Sequence, residues 1–143
     1  MAISEKNLVV DATMENLDTV IGFVEDELAL FDCPMKTTML ITVSLEEVYV
    51  NVVNYAYGDA VGKCEITLAI DDTSEEKKVV LTVKDNGKPF DPLAKEDPDI
   101  TLSADDRQIG GLGIFMVKKS MDEVSYKNIS GYNTLTIVKS WKI

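Results

Sequence analysis

Apolar residues recur along the chain with two periods. Between residues 14 and 31, Leu17, Val20, Ile21, Val24, Leu28 and Leu30 fall near helical spacing and predict an amphipathic helix. Cys33-Pro34 ends it, because proline disfavours helical backbone in the residue before it. A second helix is expected over about 35–57, stopping at Gly58. Around these helices the pattern shortens. A first strand is expected over 5–12, around Leu8, Val9 and Val10, and residues 64–71 alternate well enough for another. Residues 72–78 form a polar turn, and the β-rich run from Val79 to Val83 leads into Asp85-Asn86-Gly87. Gly110-Gly111-Leu112-Gly113 then opens a short helix through Met121. Two strands follow at about 122–128 and 133–141, turning at Ser130-Gly131. The order β-α-α-β-β-loop-α-β-β implies an α/β fold: a two-layer α/β sandwich with helices on one face of a mixed sheet. There is no internal repeat or low-complexity tract, and 143 residues suit a single domain over 1–143.

Three places break the pattern. On the second helix, Asn51 lies about 40° from Glu47 on the helical wheel and Asn54 about 20° the other way. Most of the remaining circumference is apolar, including Leu40, Ile41, Val43, Leu45, Val48 and Val52. A helix apolar nearly all round is an interior helix. An unpaired carboxylate there costs on the order of several kcal/mol. Glu47 therefore faces a partner, a water-filled pocket or a metal-bound ligand, or else it reaches the surface or a lysine. Glu46, about 100° off the stripe, is expected in solvent. The second place is Asp85-Asn86-Gly87-Lys88-Pro89-Phe90 after a strand, readable as a ligand-facing carboxylate beside a close backbone approach or as a plain turn. The third is Gly110-Gly111-Leu112-Gly113. Glycines at a helix start leave backbone N–H groups able to hold phosphate, or simply make a tight entry. Neither a complete dinucleotide fingerprint nor a P-loop is present. Between the last two, Pro89, Pro92 and Pro98 punctuate an acidic segment over 89–110, a long loop of a kind more often functional or mobile than idle.

Charge and composition narrow the chemistry. Asp plus Glu number 25 against 14 Lys plus Arg, a net charge of −11, which argues against nucleic-acid binding. The chain has no histidine, so His-based acid–base catalysis, His metal ligation and a phosphohistidine intermediate are excluded. Cys33 and Cys64 match no metal or redox spacing and read as free thiols in a reducing compartment. The N-terminal stretch has no signal layout and no apolar run approaches a membrane span, so a cytoplasmic protein is expected.

Taken in order and spacing, the three sites resemble the GHKL ATPase superfamily with its Bergerat nucleotide-binding fold, and within it the anti-sigma-factor serine/threonine kinases (RsbW-like). The resemblance covers about residues 8–140. It rests on Glu47-Val48-Tyr49-Val50-Asn51 with Ala56-Tyr57 (the N box), Asp85-Asn86-Gly87 with Phe90-Asp91 (the first glycine box) and Gly110-Gly111-Leu112-Gly113-Ile114 (the second). The run Met121-Asp122-Glu123-Val124 is also similar to this subfamily.

The resemblance implies ATP and Mg²⁺ as cofactors. Glu47 would be the general base, Asn51 would hold Mg²⁺, and Asp85 would bond the adenine amino group. Gly87 would let adenine approach the backbone. Gly111, Leu112 and Gly113 would offer N–H groups to the phosphates, and Thr134 would support the adenine site. Residues 91–109 would form a lid. The implied partners are an anti-sigma-factor antagonist, phosphorylated on Ser or Thr, and a sigma factor, with a homodimer suggested. Two positions depart from the family pattern. Pro89 stands where a second glycine is usual, and Ile109 stands where kinases often carry an arginine, leaving Arg107 as the nearest substitute. A non-catalytic, nucleotide-dependent interaction module is the alternative function. The catalytic half of a sensor kinase would need its phosphoaccepting histidine on another protein.

Overall fold

A computed structural model of the protein describes residues 3–94 and 111–142. Among the described residues, eight main elements follow in order: β1 (Ile3–Asp11), α1 (Leu17–Leu30), α2 (Met35–Tyr55), β2 (Lys63–Asp71), β3 (Glu76–Asp85), α3 (Gly111–Ser120), β4 (Glu123–Ile129) and β5 (Tyr132–Lys142). Short 3₁₀ turns at Met14–Asn16 and Pro92–Ala94 precede α1 and follow β3.

Local chemistry explains the helix ends. Met14–Asn16, expected as the first turn of α1, tightens to 3₁₀, and the Asn16 side chain donates to the Asp11 carbonyl (2.8 Å). Asp32 takes a left-handed φ of 57° after α1. The Asp32 N–H bonds to the Ala29 carbonyl and the Cys33 N–H to that of Leu28, a Schellman cap that Pro34 follows. The second helix stops two residues short of Tyr57, and Gly58 turns the chain away at φ 60°.

The sheet order is β1-β2-β3-β5-β4, and every ladder is antiparallel. The expected mixed sheet is thus corrected. Two consecutive helices return the chain between β1 and β2, so β2 enters opposite to β1. β5 inserts between β3 and β4, separating the two strands that would have run parallel. One face of the sheet is buried. Cys64, Ile66, Leu68 and Ile70 of β2 alternate with half-buried residues, and Val79, Leu81 and Val83 of β3 and Leu135 and Ile137 of β5 continue the same face. Val20, Val24 and Leu28 of α1, Ile41, Leu45 and Val48 of α2 and Val117 of α3 complete the core against it. The second helix is buried along one side only: Val43, expected inside, is 54% exposed. Among the described residues, no helix is long and apolar enough to cross a membrane.

Candidate functional site

The site begins at one end of the buried sheet face, where register places Cys64, Asp85 and Asn133 side by side on β2, β3 and β5. Three buried polar side chains in a row need partners, and Asp85 and Asn133 supply each other. Both are nearly closed to solvent, at 5% and 6%. Asn133 Nδ2 donates to Asp85 Oδ1 (2.9 Å) and to the Lys88 carbonyl (2.9 Å). Asn133 Oδ1 accepts from the Phe90 N–H (3.2 Å) and the Tyr126 hydroxyl. Asp85 Oδ1 also accepts the Gly87 N–H (2.9 Å), an Asx turn that reverses the chain after β3. Among the described residues, all these bonds to Asp85 end on Oδ1. Burial, then the neighbouring Asp85 and Glu65 charges, push the Cys64 thiol up to about 12, so it stays protonated. Cys33 and Cys64 are both free.

Asp85 faces a narrow pocket that opens to solvent. Val48, Asn51 and Val52 of α2 form one wall, Phe90 and Pro92 another, with Asn133 behind Asp85. The wall is apolar around a few convergent polar groups, the usual make-up of a small-molecule site. The fold thus brings Asn51 and Asp85, from separate stretches of sequence, into one cavity.

Glu47, one helical turn before Asn51, is half-buried, and among the described residues no hydrogen bond or ion pair ties its carboxylate. It lies against the first turn of α3: a Cβ on Gly113 would fall 2.0 Å from Glu47 Oε2. Glycine at 113 is therefore what lets the carboxylate and the helix start approach. That first turn carries no acidic residue of its own, so the negative charge beside it is that of Glu47. On its other side Glu47 lines a more open groove with Met39, Leu40, Val43, Gly113 and Met116. Asn54, the third member of the stripe, is exposed and lines neither cavity.

Gly87 packs closely on the end of α2. A Cβ there would lie 2.2 Å from the Ala56 carbonyl oxygen, and the next residue, Lys88, donates its N–H to that oxygen (2.7 Å). The space is taken by the end of α2. Thr134, expected beside the site, pairs with Lys84 and Lys127 on the opposite face of the sheet from Asp85. Its neighbour Asn133 holds the position instead. Alternation could have found it, since Asn133 shares a strand face with Leu135 and Ile137 and a buried amide there needs partners. Gly111 and Leu112 lie in the first turn of α3. Arg107, Ile109, Gly110 and the expected lid beyond residue 94 lie outside the described residues. Pro92, at its start, lines the pocket, and Asp91 caps the 3₁₀ turn through the Leu93 N–H (2.8 Å).

This two-layer sandwich, with its cavity between α2 and the end of β3, has known relatives. The family model for the histidine kinase-like ATPase domain matches residues 10–139, so the chain belongs to that family. It is 32% identical over 97 residues to the serine/threonine-protein kinase BtrW of Bordetella bronchiseptica, covering 68% of this chain and 66% of that protein. The fold is similar to the crystal structure of the RsbU and RsbW domains of Rv1364c from Mycobacterium tuberculosis, with a TM-score of 0.64 and 19% identity. That match covers 96% of this chain and 33% of the solved one, so the chain spans a third of the structure it resembles.

Proposed function

We propose that the domain binds ATP with Mg²⁺ and transfers the γ-phosphate to a serine or threonine of a partner protein. The observation that carries this reading is the geometry of α2. Asn51 stands in one cavity with Asp85, and Glu47 stands one turn away against the start of α3. Adenine would sit at Asp85, its amino group donating to the carboxylate. The phosphates would lie toward the N–H groups of Gly111, Leu112 and Gly113. Glu47 would take the proton of the attacking hydroxyl, within reach of the groove on its far side.

Mg²⁺ fits this donor set. Among the described residues no three His, Cys, Asp or Glu side chains gather to cage a metal. A site built on the Asn51 oxygen, phosphate and water is what this hard cation takes. When bound, it neutralises charge on the phosphates. Similarity to BtrW, named a serine/threonine-protein kinase, supports a protein substrate, and the RsbW-like order of motifs implies an anti-sigma-factor antagonist as that substrate and a sigma factor as second partner.

The test is transfer of label from γ-labelled ATP to a candidate antagonist. Label is expected on a Ser or Thr of the antagonist, with Glu47→Ala slowing transfer at least about 100-fold while ATP still binds. Tight ATP binding, no transfer and a partner complex indifferent to Glu47→Ala would instead establish a nucleotide-dependent interaction module.

A further inference from the structure

Tyr57 has no role in the chemistry above, yet it is the most heavily tied residue at the end of α2. Its ring packs against Gly62, where a Cβ would fall 2.1 Å from two ring carbons. Its hydroxyl reaches the Lys63 carbonyl at the start of β2 (2.5 Å) and Asn86 Oδ1 (3.0 Å), and it accepts the Asn86 backbone N–H (3.1 Å). Asn86 stands directly between Asp85 and Gly87. The preceding residue, Ala56, accepts the Lys88 N–H through the same carbonyl that Gly87 packs on. Two consecutive residues at the end of α2 thus grip three consecutive residues of the turn that follows Asp85.

We infer that Tyr57 is a positioning residue for base recognition: its hydroxyl, anchored on β2, holds the Asn86 amide and so aims Asp85 into the pocket opposite Asn51. The inference rests on the reading of that pocket as an ATP site. A phenol has one hydrogen to donate and lone pairs to accept with, which is what a bridge between a carbonyl and an N–H requires. Burial holds the phenol above its ordinary value of 10.0, so the hydroxyl keeps its proton across the neutral range.

Tyr57→Phe keeps the ring on Gly62 and removes the bridge. The experiment titrates Mg-ATP and Mg-inosine triphosphate, which lacks the adenine amino group, into wild-type protein and the variant by calorimetry. Wild type is expected to prefer ATP. Tyr57→Phe is expected to lower ATP affinity about tenfold and inosine triphosphate affinity far less, so that base preference collapses. Asn86→Ala, which keeps the backbone N–H, is expected to hold the preference within about twofold. Equal loss for both nucleotides in Tyr57→Phe marks a general structural role and overturns the inference. So does a loss of preference in Asn86→Ala equal to that of Tyr57→Phe. Wild-type protein that binds neither nucleotide overturns the ATP reading itself, and the inference with it.

Discussion

Gly113 and Glu47 illustrate what a single hydrogen in place of a side chain permits. A Cβ at 113 would stand 2.0 Å from Glu47 Oε2, the end of a flexible side chain, so the carboxylate would swing away rather than the helix. If Glu47 acts as the proposed base, Gly113→Ala is expected to leave the melting temperature nearly unchanged while cutting phosphate transfer at least about tenfold, since a misplaced base loses its geometry. Thermal unfolding and labelled-ATP transfer on the same sample check both halves. At this scale the chain is partly legible. The stripe of Glu47 and Asn51 follows from helical geometry, and both residues do line cavities. Thr134 and Asn133 show where reading stops. Adjacent strand residues face opposite ways; alternation with Leu135 and Ile137 turns Asn133 inward, but only the pairing of β5 with β3 sets it beside Asp85.

Among elements, α2 is the spine of the site. It is secured to the turn after β1 through Tyr49, whose buried hydroxyl donates to the Thr13 carbonyl (2.7 Å) and accepts the Thr13 N–H (3.2 Å). At its other end it packs on the turn after β3 through Ala56 and Tyr57. Here the glycine matters differently from Gly113. A Cβ on Gly87 would meet the Ala56 backbone at 2.2 Å, and backbone in a packed helix end does not yield. Gly87→Ala is expected to cost about 1–3 kcal/mol. Calorimetry or circular dichroism would read it as a drop of several degrees in the unfolding midpoint. The helices and strands themselves were readable from period and punctuation, in the right order and nearly the right places. The direction of the strands was not: a mixed sheet was the expectation, and insertion of β5 between β3 and β4 made it wholly antiparallel.

For the whole molecule the dominant quantity is the net charge of −11. A field of that sign opposes a nucleotide triphosphate at long range. Removing Mg²⁺ with a chelator is therefore expected to weaken ATP binding at least about tenfold. Part of the loss should return as salt rises, because the screening length shortens to about 8 Å near 0.15 M. Titration calorimetry across a salt series checks this, and metal-independent affinity would contradict it. Charge was available from composition alone. The cavity that gathers Asn51 and Asp85 was not, because it forms only when α2 packs over the end of β3.

The sequence by itself determined the elements, their order, the face of α2 on which Glu47 and Asn51 lie, and the presence of three short motifs in family order. These are short-range properties, set by backbone periods and by proline and glycine over a few residues. Only the tertiary structure decided that Asp85 is clamped by Asn133, 48 residues away, that Tyr57 bridges to Asn86, 29 residues away, that Gly87 serves Ala56, and that Gly113 makes room for Glu47. Each of these contacts depends on strand register and on how the helix layer sits over the sheet. Those are set by packing the whole core at once and leave no local signature in the chain.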